Sequence, residues 1–366
     1  MPPSSPRATI TDVAKAAGVA LGTVSRVFNH HPDVNTEIRD HVMKTARKLG
    51  YSRIRRRTPS VPVTAPSIGA VGVVIFGMDD TLVQLPIVSS ALQGIEQALS
   101  AGGRNLMLAT IASGNRLPPF LESDQVKGVI IKGPNQGVLP PESENDLLRQ
   151  LYRLPRVWLM GRLPNARGDH CNFDTEAAGR IAADHLLAKG HRRVAFMNPK
   201  PGQIQFEKVK TSFQMACSRG GLKCTLLEVE AGPPLAWPLP STTRQENVDQ
   251  LIDEWNALPV ATRPTALFVP SDRTATQLYA ALAQRRLRPG RDVSVISCNN
   301  EKSLLVNLHP ALTTIDVHAE LIGRRAVDLL LWRMAHPAEV IDSQVLIEPA
   351  LIAGDSVAQL PYPAGR

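Results

Sequence analysis

Thr23, Ser25, Arg26 and Asn29 fall within seven residues, and Arg53, Arg55, Arg56 and Arg57 within five. Hydroxyls, amides and guanidinium groups at this density can donate to phosphate oxygens and base edges, the guanidinium in bidentate fashion. Their setting supports that chemistry. Residues 1–66 hold 11 Lys/Arg against 4 Asp/Glu, whereas the other 300 hold 30 against 29, so nearly all of the +8 net charge lies in one short segment. A neutral body with a basic head is the electrostatic pattern of nucleic-acid binding. A second set of polar residues stands at the ends of apolar runs. Asp272 follows "TALFVPS", Asp79 and Asp80 follow the run ending at Gly77, and Asn299 and Asn300 follow "VSVIS". A carboxylate there can accept several hydroxyl hydrogen bonds from a polar ligand, or it can cap the next helix. Gln84, Arg162 and Phe173 join the candidate ligand set. Asp174 is a further candidate that fits a cap equally well.

Other chemistries have little support. The sequence lacks G-x-G-x-x-G, G-x-x-x-x-G-K-[ST] and G-x-S-x-G, so no nucleotide loop or nucleophile elbow is implied. His185 and His191 flank a helix end and read as structural. The four cysteines (Cys171, Cys217, Cys224, Cys298) form no C-x-x-C pair and no metal-like spacing, and are expected to be reduced, mostly structural thiols. No cofactor and no metal are implied. No stretch reaches 18 apolar residues, and the first residues lack the apolar core of a secretory signal, so a cytoplasmic location is expected.

The basic segment has to be positioned by helices. Thr11 is a candidate N-cap, and Val13, Ala14 and Ala17 repeat at helical spacing before Gly18, which can adopt the left-handed stop. Val19 is a candidate apolar anchor in the turn. A second helix over about 21–28 places Val24, Val27 and Phe28 inward and leaves Thr23, Ser25, Arg26 and Asn29 outward. A third, over about 36–49, turns Ile38, Val42, Ala46 and Leu49 to the core. Two short helices about a glycine turn, followed by a third, make a helix-turn-helix, whose second helix lies in the major groove of DNA. Residues 52–67 then carry the four arginines with Pro59, Pro62 and Pro66, a composition that favours extended chain over helix.

From residue 68 the pattern changes. "IGAVGVVIFG" is a continuous apolar run of the kind a buried parallel strand needs, and "IVSSALQGIEQALSAGG" is helical. The alternation continues in two series, which predicts βαβ units, parallel sheets and two lobes with a ligand cleft at the strand ends.

"ATITDVAKAAGVALGTVSRVFN" and "VNTEIRDHVMKTARKLGY" resemble the N-terminal region of lactose-repressor-type (LacI/GalR) transcription regulators. "GHRRVAF", "RPTALFVPSD", "GRDVSVIS", "HPALTTID" and "GRRAVDLLLWR" resemble the body of the same family and of the related periplasmic sugar-binding proteins. The resemblance implies an α/β chain with an all-α helix-turn-helix head (1–51), a linker (52–67), a two-lobed periplasmic-binding-protein-like body (68–355) and a tail (356–366). It implies three crossings between lobes, with an N-lobe of about 68–163 plus 296–325 and a C-lobe of about 164–295 plus 326–355. It also implies a homodimeric repressor, paired through helices such as 87–101, on a near-palindromic double-stranded operator and controlled by a small effector such as a sugar. Thr9, Leu21, Asn35 and Tyr51 then join Thr23, Ser25, Arg26, Asn29 and the four linker arginines as DNA-facing candidates. The family pattern is broken in several places. Ala20 stands where a Ser or Thr usually opens the recognition helix, and Leu21 and Gly22 stand where base-reading side chains are usual. The linker lacks the usual wedging leucine, with Ser60 at its place. Lys208 and Lys210 are the only cations near Phe213, where the family has an arginine. Two rival readings follow, a DNA-binding regulator with a degenerate pocket and a periplasmic-type solute-binding protein.

Overall fold

The computed structural model describes residues 9–28, 34–49, 70–76, 86–111, 117–123, 125–232 and 246–361. The chain divides into two compact units, Met1–Ala65 and Pro66–Arg366.

The first unit holds α1 (Ile10–Ala17), α2 (Leu21–Phe28) and α3 (Thr36–Lys48). Val13, Ala14, Ala17, Val24, Val27, Val42 and Ala46 form its buried centre, with Val19 and Met43 packed against them. Gly18 takes the left-handed conformation (φ 64°) that ends α1. Three expectations are corrected. The N-cap of α1 is Thr9 rather than Thr11. Its hydroxyl accepts the Asp12 N–H, and the Asp12 carboxylate accepts the Thr9 N–H at 2.7 Å, a reciprocal capping box. Ile38 and Leu49 are exposed rather than inward, because a small three-helix core is already filled from α3 by Val42, Met43 and Ala46.

The second unit runs in order β1 (Ala70–Phe76), α4 (Pro86–Ala101), β2 (Leu106–Ile111), α5 (Pro119–Glu122), β3 (Val126–Lys132), α6 (Asp146–Leu151), β4 (Arg156–Leu159), β5 (Asp169–Phe173) and α7 (Thr175–Ala188). It continues with β6 (Arg193–Asn198), α8 (Ile204–Arg219), β7 (Lys223–Glu228), α9 (Val248–Ala257), β8 (Ala266–Phe268), α10 (Asp272–Gln284), β9 (Ser294–Asn299) and α11 (Lys302–Leu305). β10 (Thr313–Asp316), α12 (Ala319–Ala335), β11 (Gln344–Ile347) and β12 (Ala350–Ile352) complete it. One sheet has the order β11-β5-β4-β3-β1-β2 and the other β12-β10-β9-β8-β6-β7. Every pairing is parallel except that of β10 with β12. Both faces of each sheet are covered, which is why β1 reads as an unbroken apolar run. Val71 and Val73 pack toward α4 and α12, and Val74 and Phe76 toward α5 and α6. In the second lobe Phe196, Phe213 and Phe268 meet at ring centroid distances of 5.0–6.1 Å on one face, and Trp255, Leu278 and Val295 fill the other.

The chain crosses between lobes three times, as expected, but at other places. β9 bonds to β8 and β10 to β9, so residues 294–316 belong to the second lobe, whereas the stretch from 296 was expected in the N-lobe. β5 and β11 bond to each other in the first sheet, and α12 packs on α4, β3, β4 and β5. The crossings therefore fall after Phe173, between Asp316 and Ala319, and between Ile347 and Ala350. The α4–α12 contact is close enough to require glycine on both sides. A Cβ at Gly94 would lie 1.9 Å from the Glu320 carbonyl oxygen, and one at Gly323 would lie 2.0 Å from that of Ala91. Among the described residues no helix is long and apolar enough to cross a membrane.

Candidate nucleic-acid interface and ligand seam

The outward face of α2 is set by its burial pattern. Val24 and Val27 face the three-helix core, which leaves Leu21 (49% exposed), Gly22 and Arg26 at the surface and Thr23 half-buried. Nothing lies within 4 Å of where a Gly22 Cβ would stand, so the surface is locally flat. The Ala20 carbonyl accepts the first helical N–H bonds, from Thr23 at 2.9 Å and Val24 at 3.2 Å. Its methyl group offers no acceptor to the free N–H groups of the first turn, so the missing cap read from the sequence is present in the geometry. Thr9 and Asn35 are both helix caps: the Thr9 hydroxyl is tied to Asp12, and the Asn35 side chain accepts the Glu37 N–H at 2.9 Å. Asn29, Tyr51, Arg53, Arg55, Arg56 and Arg57 lie outside the described residues, as does the side chain of Ser25.

In the body, Asp272 is not at the mouth of a cleft. It is fully buried, and its carboxylate accepts the Ser297 hydroxyl (2.5 Å), the Glu301 N–H (2.6 Å) and the Thr314 hydroxyl (2.8 Å). It thereby ties together β9, β10 and the turn after β9. The helix-capping alternative fails as well, since Ser271 caps α10 by accepting the Thr274 N–H. Burial outweighs these hydrogen bonds and pushes the Asp272 carboxyl up to about 6. Arg162 is likewise engaged by the protein. It donates to the Gly168 carbonyl at 2.6 Å and pairs with Asp342 at 2.9 Å, which holds it beside β5. Phe173 is buried in the core at the end of β5, immediately before the first crossing. Asp174 caps α7, and His191 bonds to Thr265, both structural roles. Lys210 is held by Glu207 and Glu228, so it does not replace the absent arginine. Asp79, Asp80 and Gln84 lie outside the described residues.

Asn299 and Asn300 are where the strand-end rule places them, with φ of 120° and 57°. They line a cavity of about 690 Å³ formed by the start of α4, the turn after β9 and the start of α12, so both lobes contribute. Asn300 donates to Asp316 at 2.8 Å. Five further polar residues of the seam were not among the candidates read from the sequence. Glu301 accepts the Ile87 N–H at 3.1 Å, so a carboxylate of the second lobe caps α4 of the first. Burial, then the charge of Asp272, pushes Glu301 up to about 7. Asn172 at the end of β5 donates to Gln205 in the first turn of α8 at 2.9 Å. The Asn172 Oδ1 is buried without a hydrogen-bond partner among the described residues. Lys132, at the end of β3, donates to the Gly133 carbonyl at 2.6 Å and to Asn135 at 3.0 Å, and burial pushes its amine down to about 7. The Asn135 carbonyl in turn accepts the Ile204 N–H at 2.7 Å across the seam. Only Lys132 carried a signal, a cation ending an apolar strand.

A compact helix-turn-helix with Arg26 exposed on its second helix, joined to a two-lobed body with a polar seam, is the architecture of a DNA-binding regulator. Residues 9–53 match the family of bacterial regulatory proteins of the lacI type, and residues 183–357 match the periplasmic binding protein-like domain. The ribose operon repressor of Haemophilus influenzae is 27% identical over 357 residues, covering 96% of this chain and 99% of its own length. Among solved structures, the complex of the transcriptional regulator CelR with cellobiose aligns with a TM-score of 0.61 at 22% identity, over 96% of this chain and all of that one. The lac repressor dimer bound to operator and the anti-inducer ONPF aligns at 0.59 and 22%, again over 96% and 100%. The chain thus joins a lacI-type DNA-binding head to a periplasmic binding protein-like body, the combination that these transcriptional repressors carry.

Proposed function

We propose that this protein is a transcriptional repressor. It binds a near-palindromic operator as a homodimer in the cytoplasm and releases or tightens on DNA when a small polar ligand such as a sugar enters the seam of its body. The carrying observation is the exposed face of α2, where Arg26 stands out beside Leu21 and Gly22 over a fully packed three-helix core. Base readout falls to Arg26, with Leu21 suited to a thymine methyl. Pairing two copies doubles the operator contacts, and the exposed side of α4 is the surface we assign to that pairing. In the seam, Asn299 supplies an acceptor for ligand hydroxyl or N–H groups from the cavity wall, and the unpartnered Oδ1 of Asn172 is a buried acceptor at the end of β5. The test is selection of a preferred operator from random DNA, followed by a thermal-shift screen of sugars, nucleosides and polyols on the same protein. A two-fold-related DNA motif and a stabilising polar ligand that alters operator affinity are expected. No sequence preference at any salt concentration would overturn the reading.

A second reading, a DNA-binding regulator without a sugar effector, draws on one observation. Asp272, the carboxylate at the expected ligand position, is engaged entirely by the protein. A screen in which the operator is selected but no polar ligand binds would favour it.

A further inference from the structure

The loop that joins α10 to β9 reads "RRLRPGRD", and the fold treats its four arginines unequally. Arg285 is held by Asp249 and Asp253 at 2.8 and 2.7 Å, and Arg291 lies 4.0 Å from Asp292. Arg286 and Arg288 are exposed, and no acceptor among the described residues engages either guanidinium group. The loop itself is firmly tied. α10 ends in a Schellman motif, in which the Leu287 N–H donates to the Leu282 carbonyl at 2.9 Å and the Arg286 N–H to that of Ala283 at 3.0 Å. The Asp292 carboxylate accepts the Arg288 N–H at 2.8 Å. Gly290 packs so closely on the Asp355 carbonyl that an added Cβ would lie 2.3 Å from its oxygen. At the left-handed position of the motif, where glycine is usual, stands Arg286 with φ of 58°. A guanidinium group is thus carried on a backbone conformation that glycine adopts at lower cost, and such strain marks places where the side chain has a use.

Arg286, Arg288 and Arg291 stand in the wall of a cavity of about 830 Å³, which the turn before β10 and the segment after β12 complete. Its size falls in the usual range for small-molecule sites, roughly 300–1,000 Å³. Leu287 and Pro310 give it an apolar side, His309 adds an imidazole, and Asp355 is the one carboxylate among its lining residues. We propose that this cavity is a second ligand site, which takes a phosphate monoester with a small apolar or aromatic body. Arg286 and Arg288 grip the phosphate oxygens through their forked N–H groups, Arg291 adds to the positive field, and the body of the ester lies on Leu287 and Pro310. Arginines gathered round one concavity, rather than strung along a groove, suit a compact anion better than an extended polyanion. The site is separate from the seam and does not rest on how the seam is read. α10 begins at Asp272, which binds the turn of Glu301 in the seam, and reaches the cavity only at its other end, about 20 Å away along its 13 residues.

The experiment titrates the full-length protein with phenyl phosphate by isothermal titration calorimetry, beside inorganic phosphate and phenol. Expected are one site per chain for phenyl phosphate, weaker binding of inorganic phosphate, none of phenol, and falling affinity with added salt. Arg286→Ala and Arg288→Ala should each weaken phenyl phosphate about tenfold or more, the usual consequence of losing a hydrogen bond to a charged group. Arg286→Lys keeps the charge but not the fork and should recover only part of the loss. Asp355→Asn removes the opposing carboxylate and should tighten binding. Lys223→Ala removes a charge from the exposed edge strand of the same lobe and should change nothing. Both arginines are exposed and alanine keeps the Cβ at position 286, so the variants should fold, which circular dichroism checks. No binding of phenyl phosphate at millimolar concentration, or binding that survives in the Arg286→Ala/Arg288→Ala double variant, would overturn the proposal. Equal weakening by Lys223→Ala would overturn it as an effect of net charge, and equal affinity for inorganic phosphate would overturn the ester. Hexaglutamate or a short DNA duplex that binds more tightly than phenyl phosphate, and loses affinity in Arg286→Ala, would give the surface to a macromolecule and overturn it too.

Discussion

The reading face of α2 and the strand ends of the second lobe carry similar chemical groups in opposite conditions. On α2 the polar side chains stand on a helix whose apolar residues are used up by the three-helix core, so Arg26 is left exposed. At the strand ends the acidic side chains point into the fold. Asp272 is saturated by Ser297, Thr314 and Glu301, and Glu301 is turned to the N-terminus of α4. Residue type suggests a ligand contact in both places. Only the first leaves the hydrogen-bonding capacity free for one. In the second, the carboxylates set how two strands, a turn and the other lobe fit together, and it is the amide of Asn299 that is left on the cavity wall.

The largest effect should come from removing the carboxylate that the fold itself uses. Asp272→Ala leaves two hydroxyls and one N–H buried without a partner, at about 1–3 kcal/mol for each unsatisfied group. A loss of about 3–5 kcal/mol in the urea unfolding of the body is expected, with a smaller loss for Asp272→Asn. Unchanged stability together with a lost ligand response would break the comparison and return Asp272 to the ligand set.

The same pair of carboxyls gives the body a pH dependence. Asp272 is raised from 3.8 to about 6 and Glu301 from 4.5 to about 7, in both cases chiefly by burial. Between the unfolded and folded values the native state binds more protons, so the stabilising contribution is full below the unfolded values and is lost as pH rises through about 6 to 7. Stability of the body should therefore increase on acidification from pH 8 to pH 5.5. Asp272→Asn should flatten the lower part of that rise and Glu301→Gln the upper part. Parallel curves for the wild type and both variants would show that these groups titrate normally.

On the other side of the comparison, Arg26→Ala should weaken operator binding by roughly 1–3 kcal/mol and affect non-specific DNA much less. Competition titrations with operator and random duplexes read this directly. Equal losses on both duplexes would reduce Arg26 to a phosphate contact, and base reading by the described side chains of α2 would then fall to Leu21 alone.

The head, the parallel sheets and the two lobes were legible because each rests on a periodic signal. Examples are Val13-Ala14-Ala17 before Gly18 and the unbroken run of β1. The lobe assignment of 296–316 was not legible, since βαβ alternation is the same whichever sheet a strand joins. That choice is made by the Ala266–Ser294 and Thr313–Ile296 pairings. Asn299 was placed in the cavity wall by the strand-end rule, whereas Asp272, under the same rule, was not. The difference lies in three partners, Ser297, Glu301 and Thr314, up to 42 residues away in sequence, which no local pattern announces. Asn172 and Gln205 were missed because each is an ordinary amide until the lobes bring them together.

The smallest predicted effect tests whether the reading face gives up local stability for its shape. At Ala20 the backbone occupies the N-cap position of α2, with its carbonyl already accepting the Thr23 and Val24 N–H groups, but alanine brings no side-chain oxygen of its own to the first turn. A serine there would supply the acceptor without adding bulk near Gly22, whose surroundings are open to 4 Å. Ala20→Ser should stabilise the N-terminal unit by about 0.5–1 kcal/mol, the usual value of such a cap. Hydrogen exchange at the α2 amides reads this locally, with slower exchange expected at Gly22 and Thr23. Because the new hydroxyl is used by the helix, operator discrimination should stay with Arg26, and the Arg26→Ala penalty should be the same in both backgrounds. If Ala20→Ser instead changes which operator is preferred while exchange at α2 stays the same, position 20 is part of the DNA-reading surface. The missing cap would then be a matter of recognition rather than of helix stability.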